Sequence, residues 1–102
     1  MRYRIILIPE ASKNIWDICA YIEQNSPQNA SLVAQRIFKD IDSLELQPRR
    51  YEVHQRRRDP AKTVHSMAVP PFIVYYRVDD PQRVVIILSV LHGARRQPRR
   101  FS

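Results

Sequence analysis

FIVYYRV over Phe72–Val78, DDPQ over Asp79–Gln82 and RVVIILSVL over Arg83–Leu91 decide the fold of this chain. Two β-branched and aromatic runs around an Asp/Pro turn read as an antiparallel hairpin, and the second run is apolar enough to be buried on both faces. That strand leads directly into His92-Gly93-Ala94-Arg95-Arg96-Gln97-Pro98-Arg99-Arg100-Phe101. A rigid element therefore delivers one His and four Arg to its own exit, an arrangement suited to presenting charge to a phosphate backbone or an acidic partner.

Upstream of the hairpin, Thr63–Val69 reads as another strand, bent into Phe72 by Pro70-Pro71. The segment 49–62 is rich in charge and poor in aliphatics, with room for one short strand around Tyr51–Gln55. At the other end, Tyr3–Ile8 reads as a first strand whose lack of alternation suits a central position in the sheet. Between them lie two helices. Ala11, Ile15, Ile18, Cys19 and Ile22 fall at helical spacing from about Glu10 to Asn25, with Trp16 and Tyr21 expected to pack at the edge of that stripe. Ser26-Pro27 supplies an N-cap and a first-turn proline for a second helix, which runs to about Leu46 with Ala30, Val33, Ala34, Ile37, Ile41 and Leu44 as its stripe. Pro48 stops it.

So short a connection makes an αα-hairpin that covers one face of a sheet. The expected fold is α+β, a small antiparallel sheet of three to four strands in the order β-α-α-β-β-β, with one extra strand allowed for by Tyr51–Gln55. A chain of 102 residues forms one domain over 1–102, with a basic tail expected to be flexible from about residue 97.

No signal-peptide pattern and no stretch near the roughly 20 apolar residues of a membrane span appears, so a cytoplasmic protein with no membrane partner is expected. Cys19 is the only cysteine, which excludes an internal disulfide and reads as an inert thiol on the apolar side of a helix. The net charge of +7 is distributed unevenly. Residues 1–48 carry five cations against six carboxylates (−1), and residues 49–102 carry twelve against four (+8). Such asymmetry points to nucleic acid, the ribosome or an acidic protein, against the competing reading of a merely solubilising surface.

His54, His65 and His92 show no paired ligand spacing, so no metal site is expected. With Gly93 as the only glycine there is no phosphate-cradling loop, and no cofactor is expected. What remains is acid–base chemistry on a cationic surface, in which strand ends bring together His65, His92 and Arg77. Neighbouring Arg would stabilise a developing phosphorane, the layout of a metal-free RNA-cleaving site. The same residues suit a binding face, and on spacing alone binding is the better reading, since a lone His at a strand end is more often structural. The binding candidates are Arg56, Arg57, Arg58, Lys62, Arg95, Arg96, Arg99, Arg100 and Phe101.

The first strand, the helical pattern Ala11…Ile15-Trp16-Asp17-Ile18…Tyr21-Ile22…Ser26-Pro27…Ala30 and above all VYYRV followed by VVIILSVLHGAR resemble the RelE/ParE superfamily of toxins from bacterial type II toxin–antitoxin, or plasmid stabilisation, modules. The resemblance spans nearly the whole chain. It implies a compact toxin neutralised by a cognate antitoxin that lays a disordered, acidic segment over it, and operator DNA contacted only through that complex. RelE-like relatives cut mRNA in the ribosomal A site, as metal-independent endoribonucleases (mRNA interferases), whereas ParE-like relatives inhibit DNA gyrase and have no known nuclease site. Here Ile73 stands where the nucleases place an Arg, Val64 and Ser66 stand near their basic strand positions, and Gly93 replaces an aromatic. Only His92 matches a catalytic position of some nuclease branches. The resemblance therefore leans to the ParE side: a growth-arresting gyrase inhibitor, with mRNA cleavage, or a basic nucleic-acid-binding domain without toxicity, as alternatives.

Overall fold

A computed structural model describes residues 2–95, 97–99 and 101. Its elements are β1 (Arg4–Leu7), α1 (Pro9–Glu23), α2 (Pro27–Asp42), β2 (Glu52–Gln55), β3 (Val64–Val69), β4 (Phe72–Asp79) and β5 (Val84–His92). The α2 start is built as its sequence suggests. Ser26 Oγ accepts the Asn29 amide N–H at 3.2 Å, and Pro27 opens the first turn, where an N–H would have no partner. α2 ends at Asp42, and a 3-10 turn over Ser43–Glu45 carries Leu44 on into the core.

The five strands form one sheet in the order β1-β5-β4-β3-β2. The expected sheet of three to four strands is one or two short, because both edge strands are only four residues long. β1 is an edge strand rather than a central one, and it runs parallel to β5 from Arg4 beside Val84 to Leu7 beside Ile87. The long connection between them, which contains both helices and three strands, makes a parallel pairing possible. Four residues are too few for alternation to be read, yet alternation is present. Ile5 and Leu7 pack into the helix-side core, while Ile6 is 39% exposed. The remaining strand pairs are antiparallel, with β4 in the middle.

Both helices lie on one face, where Ala11 and Ile15 of α1 and Ile37 and Ile41 of α2 meet Met67, Val74, Tyr76, Val78, Val85 and Ile87. In β5 a bulge leaves Leu88 without an opposite residue, since Tyr75 pairs with Ser89 and Tyr76 with Ile87. The bulge switches the alternation, so Ile87 and Val90 both serve the helix-side core while Leu88 joins a smaller cluster with Val64 and Tyr75. Trp16 and Tyr21 do not pack at the edge of the hairpin; each is 71% exposed. The buried stripe is narrow, and one step along a helix turns a side chain by about 100°, which carries Trp16 off the stripe occupied by Ile15. No helix, among the described residues, is long and apolar enough to cross a membrane.

Candidate binding face and strand exit

The alternation that sends Val74, Tyr76 and Val78 to the helices sends Ile73, Tyr75 and Arg77 to the other face of β4. Arg77 sits there between Val64 of β3 and Ile86 of β5. Neither α1 nor α2 contributes a side chain to the apolar cluster on this second face. From residue 97, where the sequence suggests a flexible tail, Gln97, Pro98, Arg99 and Phe101 run back over it. Tyr75 Oη donates to Gln97 Oε1 at 2.7 Å, and the Gln97 amide donates to the carbonyls of His92 (2.9 Å) and Arg95 (2.6 Å). His54 Nε2 lies 2.7 Å from the Pro98 carbonyl. The Phe101 N–H donates to Gln55 Oε1 at 2.9 Å, and its carbonyl accepts from both Arg57 and Arg77, each at 3.2 Å. The Phe101 ring leans on Tyr75 with centroids 4.9 Å apart, and the His54 ring meets Tyr75 edge-on at 4.7 Å. Burial pushes the Tyr75 phenol pKa upward, so it stays a proton donor.

The strand exit lies on the other side. His92 is opposite Phe72, its ring meeting that phenyl edge-on at 5.6 Å, and its Nδ1 accepts the Ala94 N–H at 3.0 Å. His92 and Arg95 form one wall of a cavity of about 520 Å³, whose apolar floor is Ile18, Ile22 and Phe72. Gly93 has a local reason to be glycine: its N–H donates to the Pro71 carbonyl at 2.7 Å, and a Cβ would stand 3.1 Å from that oxygen.

The structure does not bring the three acid–base candidates together. His92 is exposed at the strand exit. His65 is buried on the helix side, stacked on Tyr76 with centroids 5.3 Å apart. Burial lowers its pKa; the Tyr51 backbone opposes this and Arg49 and Arg56 reinforce it, so the ring is neutral near pH 7. Arg77 lies on the opposite face. Of the binding candidates, Arg57 and Phe101 come together, joined by the acid–base candidate Arg77, whereas Arg56, Arg58 and Lys62 are exposed on the loop before β3. That loop is closed by Thr63, whose Oγ1 accepts the Arg57 N–H at 3.0 Å. Arg95 and Arg99 are exposed, and Arg96 and Arg100 lie outside the described residues. His54, Gln55, Tyr75 and Gln97 join this cluster without any sequence signal that places them there. His54 reaches residue 98 across 44 positions, and no local pattern announces such a pairing.

A family model described as the ParE toxin of the type II toxin–antitoxin system parDE matches residues 5–97. Among solved structures, the fold is similar to a chromosomal ParDE system from P. aeruginosa, at 17% identity and a TM-score of 0.69, covering 89% of this chain and 96% of that one. It is also similar to an archaeal RelE–RelB complex from Pyrococcus horikoshii OT3, at 19% identity and 0.66, covering 94% and 100%. A RelBE toxin–antitoxin complex from Mycobacterium tuberculosis matches at 24% identity and 0.58, covering 93% and 95%. No curated protein matches the sequence.

Proposed function

The chain belongs to the ParE toxin family of type II toxin–antitoxin systems, and from that premise we propose that it arrests growth by blocking DNA gyrase through contact alone. One observation carries this reading: the acid–base candidates His92, His65 and Arg77 occupy an exposed strand exit, a sealed core position and the opposite sheet face. General acid–base catalysis needs its groups within hydrogen-bond reach of one reacting centre, and these three do not share one. The exposed cations Arg95, Arg56 and Arg58 instead offer charge to an acidic or phosphate-bearing target. A cognate antitoxin with an acidic segment would neutralise the same surface, partly by charge and partly by burying apolar groups. Operator DNA would be met only through that complex.

Purified protein should inhibit gyrase supercoiling with His92→Ala in place. Arg95→Ala with Arg96→Ala should weaken inhibition, increasingly so as salt is raised. Ribosome-bound mRNA that is cut by the protein and spared by His92→Ala would overturn the proposal. The second reading, ribosome-dependent mRNA cleavage, is favoured by the gathering of His54, Arg57, Tyr75 and Arg77 on the open face. Under that reading His54→Ala, rather than His92→Ala, should lower cleavage by about 10²–10⁴-fold, the usual worth of one acid–base group.

A further inference from the structure

The two edges of the sheet differ in charge and in what they leave unpaired. β2, at one edge, is followed directly by Arg56, Arg57 and Arg58. β1, at the other, belongs to the half of the chain whose charges sum to −1. The Arg4 N–H donates to the Arg83 carbonyl at 2.9 Å and the Ile8 N–H to the Ile87 carbonyl at 3.2 Å, so the even-numbered residues of β1 face β5. Backbone groups alternate along a strand, and the N–H and carbonyl groups of Ile5 and Leu7 therefore point outward. Among the described residues no strand lies on that side. An unpaired edge of this kind is a template for another strand. Ile6, between them, is exposed on the sheet face away from the helices. On the helix side Leu7 lines a cleft of about 470 Å³, with the exposed rings of Trp16 and Phe38 at its rim.

We propose that β1 is a dimerisation edge, where a second copy of this chain pairs with it antiparallel about a two-fold axis through Ile6. The register follows from the backbone. In an antiparallel pair the outward-pointing residues face one another, which sets Ile5 opposite Leu7 of the second copy and Ile6 opposite its own counterpart. The run Arg2-Tyr3-Arg4-Ile5-Ile6-Leu7-Ile8-Pro9-Glu10 is self-complementary about that centre. Apolar residues meet at Ile5, Ile6 and Leu7, and the exposed Arg2 of one copy approaches the exposed Glu10 of the other. The pairing joins two sheets into one with both helical hairpins on the same side, so the two Leu7 clefts lie next to each other. Trp16 and Phe38 then supply apolar area that a four-residue strand cannot. Charge selects the occupant. An acidic segment of another protein is drawn to the β2 edge and its Arg56–Arg58 run, whereas two molecules of net charge +7 meet with least repulsion at β1. The dimer does not depend on the gyrase contact proposed above.

The test is analytical ultracentrifugation of the purified full chain over a wide range of concentration, with charges placed on the axis. Ile6→Lys sets two cations opposite each other and Ile6→Glu two anions; Ile6 is exposed, so neither change reaches the core. Each alone should raise the dimer dissociation constant by about tenfold or more, through the lost Ile6 pair and the facing like charges. An equimolar mixture of the two variants should recover dimers, because Lys then faces Glu. Recovery is specific to this register, since neither a loss of apolar area nor damage to the fold can produce it. A chain that stays monomeric at every concentration overturns the proposal, as do single variants that associate as well as the unchanged chain or a mixture that fails to recover. Ile5 and Leu7 N–H groups that exchange slowly only once the antitoxin is added would assign the edge to the antitoxin and overturn it too. Gyrase inhibition, measured separately on the single variants, bears on the gyrase reading alone.

Discussion

The two faces of the sheet are built from alternate residues of the same strands, yet they differ in what their polar groups are free to do. On the helix side, Tyr76 is fully buried with its hydroxyl donating to the Pro48 carbonyl at 2.6 Å, and burial holds its phenol far above the ordinary pKa. His65 beside it is neutral and sealed. These groups are committed to packing. On the other side, Tyr75 is equally buried, but its hydroxyl, His54, Arg57 and Arg77 all bond to Gln97, Pro98 or Phe101 of the C-terminal segment rather than to the core. The packing that stabilises the fold therefore centres on one face, while the polar groups of the other are engaged by the C-terminal segment, with a single strand such as β4 serving both.

That contrast breaks most readily through the helix side. Ile41→Ala, at a fully buried contact between α2 and the sheet, should cost about 2–5 kcal/mol in urea unfolding. Tyr76→Phe should cost about 1–3 kcal/mol, because it leaves the buried Pro48 carbonyl without its donor. An unchanged midpoint for Tyr76→Phe would remove the distinction between the faces.

His65 sets the pH behaviour. The unfolded chain protonates this ring at its ordinary value of 6.5, whereas burial keeps the folded ring neutral to a lower pH. Its contribution is complete above about 6.5 and is lost as pH falls below it, so Tm should drop as the pH is taken below about 6.5. His65→Phe, which keeps a ring against Tyr76, should flatten that slope. Asp80 acts separately: its hydrogen bond from Tyr3 and its pairing with Arg49 lower its pKa from 3.8, so its loss is confined to more acid conditions.

The smallest effects are expected where the surface is open. Arg57→Ala and Trp16→Ala should each shift unfolding by about 0.5 kcal/mol or less. If Arg57→Ala proved as costly as Ile41→Ala, the contact of Arg57 with the Phe101 carbonyl would be a structural clamp and the contrast between the faces would fail.

Much of the fold is legible in the sequence because it rests on long periodic segments. The stripe through Ile15, Ile37 and Ile41 and the hairpin around Asp79–Asp80 declare themselves locally, as does the Ser26-Pro27 start of α2. The placement of β1 does not, since pairing between Arg4 and Val84 leaves no mark in a four-residue strand. Trp16 misleads because a hydrophobic type is not the same as burial, and one helical step is enough to separate them. In the candidate site, the charge and position of Arg57, Arg77 and Phe101 mark them individually, but their convergence is not visible in the sequence. It depends on a return of the chain from residue 97 to His54 and Gln55, with no local signature.

The parallel pairing of Arg4–Leu7 with Val84–Ile87 also bears on when the molecule comes into being. During synthesis β1 leaves the ribosome before β5 and must wait, its edge unsatisfied, for a strand that follows both helices and three further strands. The helical hairpin can form early from local contacts, but the sheet it covers has no β5 until residue 92 is made. A nascent chain thus cannot complete its sheet, or present the folded surface an inhibitor would meet, until β5 has been made.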